Sequence, residues 1–515
     1  MKKTIILLFH LIAVSLSAQE AYYNVLDYGA KGDGMTNNTK AINTTIDVAA
    51  KNGGGTVFFP AGDFLSYTIH LQSNITLHLD QGAVLIGDQE VNGVGYDLPE
   101  ETSWYSKFQD FGHTYFKNSL IYGDSLHDIA ITGMGMIWGK GLYTHDKPDI
   151  KGSGNKAIAL KNCINVTIRD ISILHGGHFC ILATGVDNLT IDNVRADADR
   201  DGFDIDCCKN VRISNCNINS PTDDGLCLKS SFALGYARIT ENVTITNCQV
   251  YGYDHGSLMD GTFKSEFIDE APNVNHCITG RLKLGTESNG GFRNITISNC
   301  VFERSRGIAI ETADGGLIED VLFDNISMRD VTDTPFFIRL NARMRGPEGV
   351  PVGICRRITI NNLNVYDVGG RPKSPELGAA MVMGIPGYYI EDLTLSNIRI
   401  YYRGGVSKDA IDKEVPQNID TYPDPYRWHS MPAYGMYFRY VKGLRVNNVV
   451  LRYMNRDERP AFILDDVHNA SFSHIDAQKG KDAPQFILKN VSNISIHEVN
   501  ELDDVKLGKV EKKEL

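Results

Sequence analysis

Apolar and polar residues alternate in a short phrase that recurs along most of the chain. The phrase reads Asn, apolar, any residue, apolar, as at 165–168, 188–191 and 210–213. Alternation with a period of two is typical of a half-buried β-strand, so each copy predicts one strand. Further copies, some of them looser, begin at Asn242, Asn294, Asp320, Arg357, Asp392, Gly443, Asn469 and Asn493.

The spacing of these phrases predicts the fold. From Ile168 to Ile191 is 23 residues (191 − 168), from Ile191 to Ile213 is 22 (213 − 191), and from Phe472 to Ile496 is 24 (496 − 472). A period in the low twenties, with strands and no helix between them, predicts an all-β, single-stranded, right-handed parallel β-helix. Leucine-rich repeats share this length but need a Leu framework that this sequence lacks.

The recurring Asn and the irregular gaps have separate explanations. Asn tolerates left-handed backbone at turns, and its amide can bond along a stack of identical turns, which favours a structural role. The gaps from Ile245 to Ile297 and from Leu395 to Val446 exceed one coil, so they predict loops inserted into coils. Such loops usually build one side of a binding groove.

The two ends of the β-helix region, predicted to span 22–500, differ from its middle. Residues 37–50 have helical character, and a strand at 56–59 follows three consecutive glycines. A helix here would cap the first coil and hide its open strand edge. We expect the polar tail, 501–515, to be frayed.

Residues 1–18 predict a secretory signal peptide, with Lys2 and Lys3 before a mostly apolar stretch and small residues near Ala18. The apolar stretch is too short to span a bilayer, and no later segment reads as a membrane helix. We therefore expect export to the periplasm or the outside of the cell. We also expect the protein to be a monomer. The net charge of −12 argues against nucleic-acid binding, which requires a basic field.

The 10 cysteines do not have the pattern of a disulfide framework. Cys216, Cys248 and Cys300 each follow an Asn at equivalent places in the repeat, which predicts stacked, buried thiols. The adjacent Cys207 and Cys208 leave a strained vicinal bridge open. The sequence contains no C-x-x-C metal spacing.

Three aspartates carry the candidate chemistry. Asp201 and Asp223 are 22 residues apart (223 − 201), one coil of the predicted helix, and Asp224 follows directly. Residues one coil apart lie on neighbouring strands, roughly 5 Å apart. Mutual repulsion should then raise at least one pKa, giving a protonated acid beside ionised partners. Glycoside hydrolysis needs that combination, although a turn with solvated acids or a calcium site is also compatible with the pattern.

Four motifs carry a family resemblance. The segment Tyr23-Asn24-Val25-Leu26-Asp27-Tyr28-Gly29-Ala30 precedes Gly32-Asp33-Gly34, and Asp201-Gly202-Phe203-Asp204 precedes Thr222-Asp223-Asp224-Gly225-Leu226-Cys227-Leu228-Lys229-Ser230. In order and approximate spacing they resemble glycoside hydrolase family 28, which contains polygalacturonases and rhamnogalacturonan hydrolases. The resemblance implies that Asp223 is the general acid, that Asp201 and Asp224 position and deprotonate a water, and that the anomeric centre is inverted.

This sequence also departs from the family pattern. Asp199 stands where the family has Asn, and Gly225-Leu226 separate Asp224 from Cys227. The family's Gly-His-Gly motif corresponds either to Asp254-His255-Gly256 or to Thr279-Gly280-Arg281. Its Arg-Ile-Lys motif reads Ala309-Ile310-Glu311 here, so both cations are missing.

These departures shift the expected substrate from plain homogalacturonan towards rhamnogalacturonan or another decorated pectic chain. Arg281 and Lys283, which alternation puts on one strand face, are candidates to restore the missing cations. The full set of candidate substrate-binding residues is His255, Arg281, Lys283, Glu287, Glu311 and Lys229.

The resemblance implies a hydrolase of a pectic poly- or oligosaccharide that needs no metal and no cofactor, and the predicted signal peptide adds export. Two alternatives stay open. One is a pectate-lyase-like enzyme, which would share the β-helix and use calcium with a basic residue. The other is a non-catalytic carbohydrate-binding β-helix, to which the altered Arg-Ile-Lys position gives some support.

Overall fold

The computed structural model describes residues 21–101, 112–147, 152–266, 278–369, 378–428, 430–480 and 483–515. The predicted signal peptide, 1–18, lies outside these residues. Within them the chain winds as a parallel β-helix, since strands pair with strands one coil later. Each coil crosses three faces in the same order, here named the first, second and third face.

The first face carries the candidate site. Its strands pair in parallel from β5 to β29, and the first residues of β31, β32 and β33 extend it. The strands are β5 (Ile69–His70), β8 (Ile121–Asp124), β11 (Ile158–Lys161), β14 (Phe179–Thr184), β17 (Asp201–Asp206), β20 (Leu226–Ser230), β23 (Leu282–Ser288), β25 (Ile308–Thr312), β27 (Phe336–Leu340), β29 (Ala380–Met383), β31 (Met436–Asn455), β32 (Phe462–Ala477) and β33 (Phe486–Val499).

The second face is built from the recurring phrases. Its strands are β1 (Tyr22–Asn24), β3 (Gly55–Phe59), β6 (Ile75–Leu79), β9 (His127–Thr132), β12 (Ile164–Arg169), β15 (Asp187–Asp192), β18 (Lys209–Ser214), β21 (Thr240–Thr246), β24 (Phe292–Ser305), β26 (Leu317–Val331), β28 (Ile354–Val368) and β30 (Ile390–Gly404). From β24 onwards each strand continues into the third face, and β31 to β33 cross all three.

The third face begins with short strands. These are β2 (Asp33–Asn37), β4 (Gly62–Ser66), β7 (Ala83–Gly87), β10 (Met136–Trp138), β13 (Ser172–Leu174), β16 (Arg195–Asp197), β19 (Asn217–Asn219) and β22 (Gln249–Tyr251). One long core of buried aliphatic and aromatic side chains fills the interior of the coils. The buried set reaches from Val25 to Val499, so each coil is held mainly by its two neighbours.

The predicted capping helix is confirmed. Helix α1 spans Thr39–Lys51 and buries Ile42, Ile46 and Ala49 in the same core as the first coils. A second helix, α2, is a single turn at Ser257–Asp260. None of the helices in the described part of the chain has the length and hydropathy of a membrane span.

The prediction of a frayed tail is wrong. Strand β34, Val505–Glu514, pairs antiparallel with β33 along its length, from Ile496 beside Val505 to Ile487 beside Glu514. The side chains of Leu507 and Val510 pack against the core. The last coil would otherwise expose a row of unpaired backbone groups, which β34 satisfies.

The structural reading of Asn and Cys is confirmed. Asn188, Asn210 and Asn242 have φ angles of 56°, 57° and 58°, in the left-handed region. Their amides form a ladder in which Asn210 Nδ2 donates to Asn188 Oδ1 at 3.3 Å and Asn242 Nδ2 donates to Asn210 Oδ1 at 3.1 Å. Every cysteine in the described residues is buried with a free thiol, so the vicinal bridge between Cys207 and Cys208 is absent.

The ladder can be tested at its middle position. Asn210→Ala should lower the free energy of unfolding by about 1–2 kcal/mol. It removes two side-chain hydrogen bonds, and it places alanine in a left-handed backbone conformation that alanine disfavours. Asn210→Gly keeps the backbone conformation accessible and should cost about half as much. Urea unfolding of both variants checks this, and a Gly variant as unstable as the Ala variant would contradict the backbone part of the argument.

Candidate active site

The structure brings the three predicted aspartates together. Asp201 begins β17 and Asp224 lies two residues before β20. The register pairs Phe203 with Leu226, an offset of 23 (226 − 203) that puts Asp224 beside Asp201 (201 + 23). One carboxylate oxygen from each of Asp201, Asp223 and Asp224 lies within 4.8 Å of the others. The geometric part of the prediction is therefore confirmed, while the individual roles remain predictions.

Asp201 favours the protonated form. Burial raises the pKa of Asp201 well above its ordinary value, and repulsion from Asp223 and Asp204 raises it further. The Oδ1 atom of Asp201 is buried without a hydrogen-bond partner. The prediction that crowding would raise the pKa of at least one acid thus holds for Asp201, and burial is the larger cause.

Asp224 favours the ionised form. Burial alone would raise its pKa, but the Arg281, Lys283 and Lys229 cations hold the pKa of the Asp224 carboxyl well below its ordinary value. Arg281 Nε donates to Asp224 Oδ1, and Lys283 Nζ lies 3.1 Å from Asp224 Oδ2. Two neighbouring carboxyls therefore have pKa values displaced in opposite directions, which is the pattern expected of an acid–base site.

Arg281 and Lys283 point the same way, as the sequence predicted, with Arg281 directly before β23 and Lys283 within it. Lys283 pairs with Cys227 on one side and Ala309 on the other. The side chains of Arg281 and Lys283 are only 4% and 2% exposed, and both point at Asp224. In the free protein they compensate an active-site carboxylate, and their predicted contact with substrate stays a prediction.

Lys229, Glu287 and Glu311 belong to a charged floor, which we define by the outward-facing, buried charges on β17, β20, β23 and β25. Lys229 Nζ donates to Glu287 Oε2 at 3.1 Å, and Glu287 Oε1 accepts from Arg343 Nη2 at 3.3 Å. Glu311 Oε2 accepts from the Thr286 hydroxyl at 2.6 Å. The members of the charged floor are Asp204, Asp206, Lys229, Lys283, Glu287 and Glu311.

The structure places His255 against Ala198 and His175. Its Nδ1 atom is 3.0 Å from the carbonyl oxygen of Ala198, and its ring centroid is 6.4 Å from that of His175. Of the two alignments left open for the Gly-His-Gly motif, the structure favours 279–281. The pairing of Leu226 with Leu282 puts Gly280 in register with Asp224 (224 + 56; 282 − 226 = 56).

Sequence reasoning missed four residues that contact the site. Arg200 Nε donates to Asp223 Oδ2 at 3.1 Å, and Arg200 Nη1 contacts His178 Nε2. The Lys283 ammonium donates to the Tyr422 hydroxyl at 2.9 Å, and Asp424 accepts from Arg306, a residue of the next coil. Arg200 was adjacent to a predicted residue. The path of the loop that brings Tyr422 and Asp424 back to the site left no sequence signal. The missed residues are Arg200, His178, Tyr422 and Asp424.

The charged floor ends at an apolar wall on its C-terminal side. Segment 405–435, inserted between β30 and β31 and described except for residue 429, lies over the first face there. It is held by Arg339, which donates to the carbonyl oxygens of Gln417 at 2.7 Å and Asn418 at 3.0 Å. Outward-facing side chains that it helps to bury are Phe337, Met381, Met383, Tyr437, Ile463 and Ile487, against Val415, Trp428, Met431 and Ala433.

A second wall closes the N-terminal side. Phe116 packs on Ala159, Phe179 and Leu182 in a separate buried cluster outside the coils. From the same segment, His113 Nε2 lies 3.1 Å from Asp204 Oδ2 on the charged floor. Apolar contacts therefore cover the first face on both sides of the charged floor.

A parallel β-helix with three clustered carboxylates, two of which have pKa values displaced in opposite directions, defines a candidate glycoside hydrolase. The profile of Glycosyl hydrolases family 28 matches residues 60–420, and that of Rhamnogalacturonase A/epimerase, pectate lyase-like, matches residues 22–97. The chain belongs to glycosyl hydrolases family 28, and it is a glycoside hydrolase. The right-handed parallel β-helix predicted from sequence is confirmed.

Two relatives and one solved structure show the range of similarity. A probable polygalacturonase of Vitis vinifera is 25% identical over 416 residues, 77% of each chain. An exo-poly-alpha-D-galacturonosidase of Dickeya chrysanthemi is 25% identical over 336 residues, 62% of this chain and 52% of the relative. The family 28 exopolygalacturonase of Yersinia enterocolitica has a TM-score of 0.61 and 17% identity, covering 90% of this chain and 79% of that one.

Burial of Asp201 predicts a gain in stability on neutralising it. The folded protein holds a proton there that the unfolded chain releases above the ordinary value of 3.8. The free energy of unfolding should therefore decrease as pH rises through the raised pKa. Asp201→Asn should remove this loss and be more stable than the wild type at neutral pH, although its activity should fall on the order of 10³-fold.

Thermal unfolding at pH 4 to 8 measures the difference between the two curves. Asp63→Asn, at an exposed position, provides the control for loss of one charge. Curves of Asp201→Asn and wild type that run parallel over this range would show that Asp201 is ionised in the folded protein.

Proposed function

We propose that this protein is an exported, inverting glycoside hydrolase that acts on a pectic polysaccharide or its oligosaccharides, galacturonan or rhamnogalacturonan. The observation that carries the proposal is the cluster of Asp201, Asp223 and Asp224, in which burial and cations displace the pKa values of two members in opposite directions. The names of the relatives, polygalacturonase and exo-poly-alpha-D-galacturonosidase, support the pectic substrate.

The three carboxylates divide the work of an inverting reaction. Asp223, the most exposed of them, protonates the leaving oxygen, and Asp201 and Asp224 orient a water and accept its proton. Because Asp224 is ionised and lies at the bottom of the cluster, it keeps an acceptor available at any pH near neutrality. Two acids this close share protons as a pair, so one proton on Asp201 or Asp223 suffices for each turnover.

The charges around the cluster disfavour the calcium-dependent lyase alternative. A calcium ion prefers six to eight oxygen ligands, mostly ionised carboxylates. Here Arg200, Arg281 and Lys283 already face the three carboxylates, and Asp201 favours its neutral form. This donor set suits proton transfer better than metal binding.

The two walls support cleavage at chain ends. A polysaccharide that lay along the first face in both directions would collide with segment 405–435 on one side and with the segment that carries Phe116 on the other. A terminal sugar can instead enter the polar part of the face from solvent. One relative is named for exo action, which agrees with this arrangement. The predicted signal peptide, 1–18, supports export.

The acid assignment makes a direct prediction. Asp223→Asn should lower hydrolysis of pectic oligosaccharides at least 10³-fold while leaving the fold intact, because the leaving oxygen loses its proton donor. Reducing-end release measures the rate, and NMR of the first product gives the anomeric configuration. Activity near that of the wild type would reject Asp223 as the acid, whereas inactivation by chelator with an ultraviolet-absorbing product would indicate a lyase.

Chain-end cleavage has its own signature. Reducing ends should accumulate from polymeric galacturonan or rhamnogalacturonan while the viscosity of the solution stays nearly constant, because each event removes only a terminal unit. Chromatography should show one short product from the first minutes. A rapid loss of viscosity with oligomers of many lengths would contradict the inference from the walls and leave the hydrolase assignment unaffected.

A further inference from the structure

Arg200 is the cation at the solvent side of the cluster. It occupies the middle of Asp199-Arg200-Asp201, and its Nε atom lies 3.1 Å from Asp223 Oδ2 and 3.6 Å from Asp201 Oδ1. Its side chain is 18% exposed and that of Asp223 is 29% exposed. A substrate that enters from solvent therefore reaches the Arg200–Asp223 pair before it reaches the buried cations behind Asp224.

The guanidinium of Arg200 is held by His178 and Phe179. His178 Nδ1 lies 2.6 Å from the carbonyl oxygen of Thr144, so Nδ1 carries the hydrogen and donates it. His178 Nε2 is then an acceptor and faces Arg200 Nη1. Burial, together with the Arg200 and Lys156 cations, holds the pKa of His178 well below its ordinary value, which keeps this acceptor available. The guanidinium carbon lies 5.6 Å from the centre of the Phe179 ring.

This placement conflicts with the role of Asp223 as an acid. A guanidinium that donates to a carboxylate stabilises the ionised form, yet the leaving oxygen needs a proton from Asp223. In the free protein the buried Asp201 is the better place for that proton. Substrate binding must therefore supply another partner for the Arg200 guanidinium, so that it releases Asp223.

Pectic substrates bring a group that can do so. Galacturonan and rhamnogalacturonan carry uronic carboxylates, and a carboxylate is the preferred bidentate partner of a guanidinium. We propose that Arg200 exchanges Asp223 for a carboxylate of the bound substrate, and that this exchange moves the active-site proton from Asp201 to Asp223. The inference rests on the proposed pectic substrate and assigns its carboxylate receptor.

The proton balance closes over one turnover. The exchange converts protonated Asp201 and ionised Asp223 into ionised Asp201 and protonated Asp223. Asp223 then gives its proton to the leaving oxygen as the glycosidic bond breaks, and water attacks the anomeric carbon. Asp201 takes a proton from that water, so the resting arrangement returns when the product leaves. Substrates without a carboxylate at this position would leave Arg200 on Asp223 and react slowly.

Binding to inactive variants tests the exchange without any turnover. Asp201→Asn keeps the Arg200–Asp223 pair, and Asp223→Asn removes the competitor for Arg200. By titration calorimetry, Asp223→Asn should bind trigalacturonate about tenfold or more tightly than Asp201→Asn. With Arg200→Gln added to both variants, that gain should disappear. The fully methyl-esterified trimer should bind Asp223→Asn no more tightly than Asp201→Asn, whether or not Arg200→Gln is also present.

The outcomes separate this inference from the proposed function. A gain that survives Arg200→Gln, equal gains for acid and ester, or no gain at all would overturn the assignment of Arg200. Melting temperatures of the four variants identify any loss of affinity caused by misfolding. If Arg200→Gln misfolds, Arg200→Lys replaces it, and the gain should then be retained in part. If the wild type hydrolyses no pectic substrate while the gain is observed, the hydrolase proposal fails and the carboxylate receptor stands.

Discussion

Parallel pairing of successive coils is the constraint on which everything else in this protein depends. Once Phe203 pairs with Leu226 and Leu226 with Leu282, the register decides for each residue of these strands whether its side chain points inward or outward. Inward residues form one continuous core, and outward residues from four coils form one charged floor. The distance between catalytic groups is therefore set by the spacing of strands, about 4.8 Å, rather than by any flexible loop.

The charged floor is a set of compensations. Burying a charge is costly unless it is paired. In the charged floor, Lys229 pairs with Glu287, and Lys283 pairs with Asp224 of the catalytic cluster. Asp201, beside the charged floor, has surroundings dominated by burial and by other acids, and its pKa rises as a result. Asp201 and Asp224 are both buried carboxyls on adjacent coils, so the difference between their pKa values comes from the charged groups around each of them. Such a contrast is what separates a general acid–base site from a structural ion-pair network.

The same face changes character at its two ends. Towards the C-terminus the outward positions become apolar, as at Phe337, Met381 and Tyr437, and segment 405–435 covers them. Towards the N-terminus Phe116 covers Phe179 and its neighbours. The apolar positions need burial, and the segments that provide it also confine the polar part of the face. Stability and substrate access are therefore determined by the same contacts.

The sequence by itself determined the architecture and the meeting of the acids. Copies of one phrase at 22 to 24 residues fix the stacking, and the motifs around Asp201 and Asp224 fall one coil apart within it. The sequence also named Arg281 and Lys283 as nearby cations, but only the tertiary structure showed that they face Asp224 and that further groups join them. Arg200 reaches Asp223 through its side-chain direction, and Tyr422 reaches Lys283 through the path of a loop; neither has a periodicity that a sequence pattern could show. Protonation also depends on burial and on neighbouring charges, which exist only once distant coils and loops have packed together.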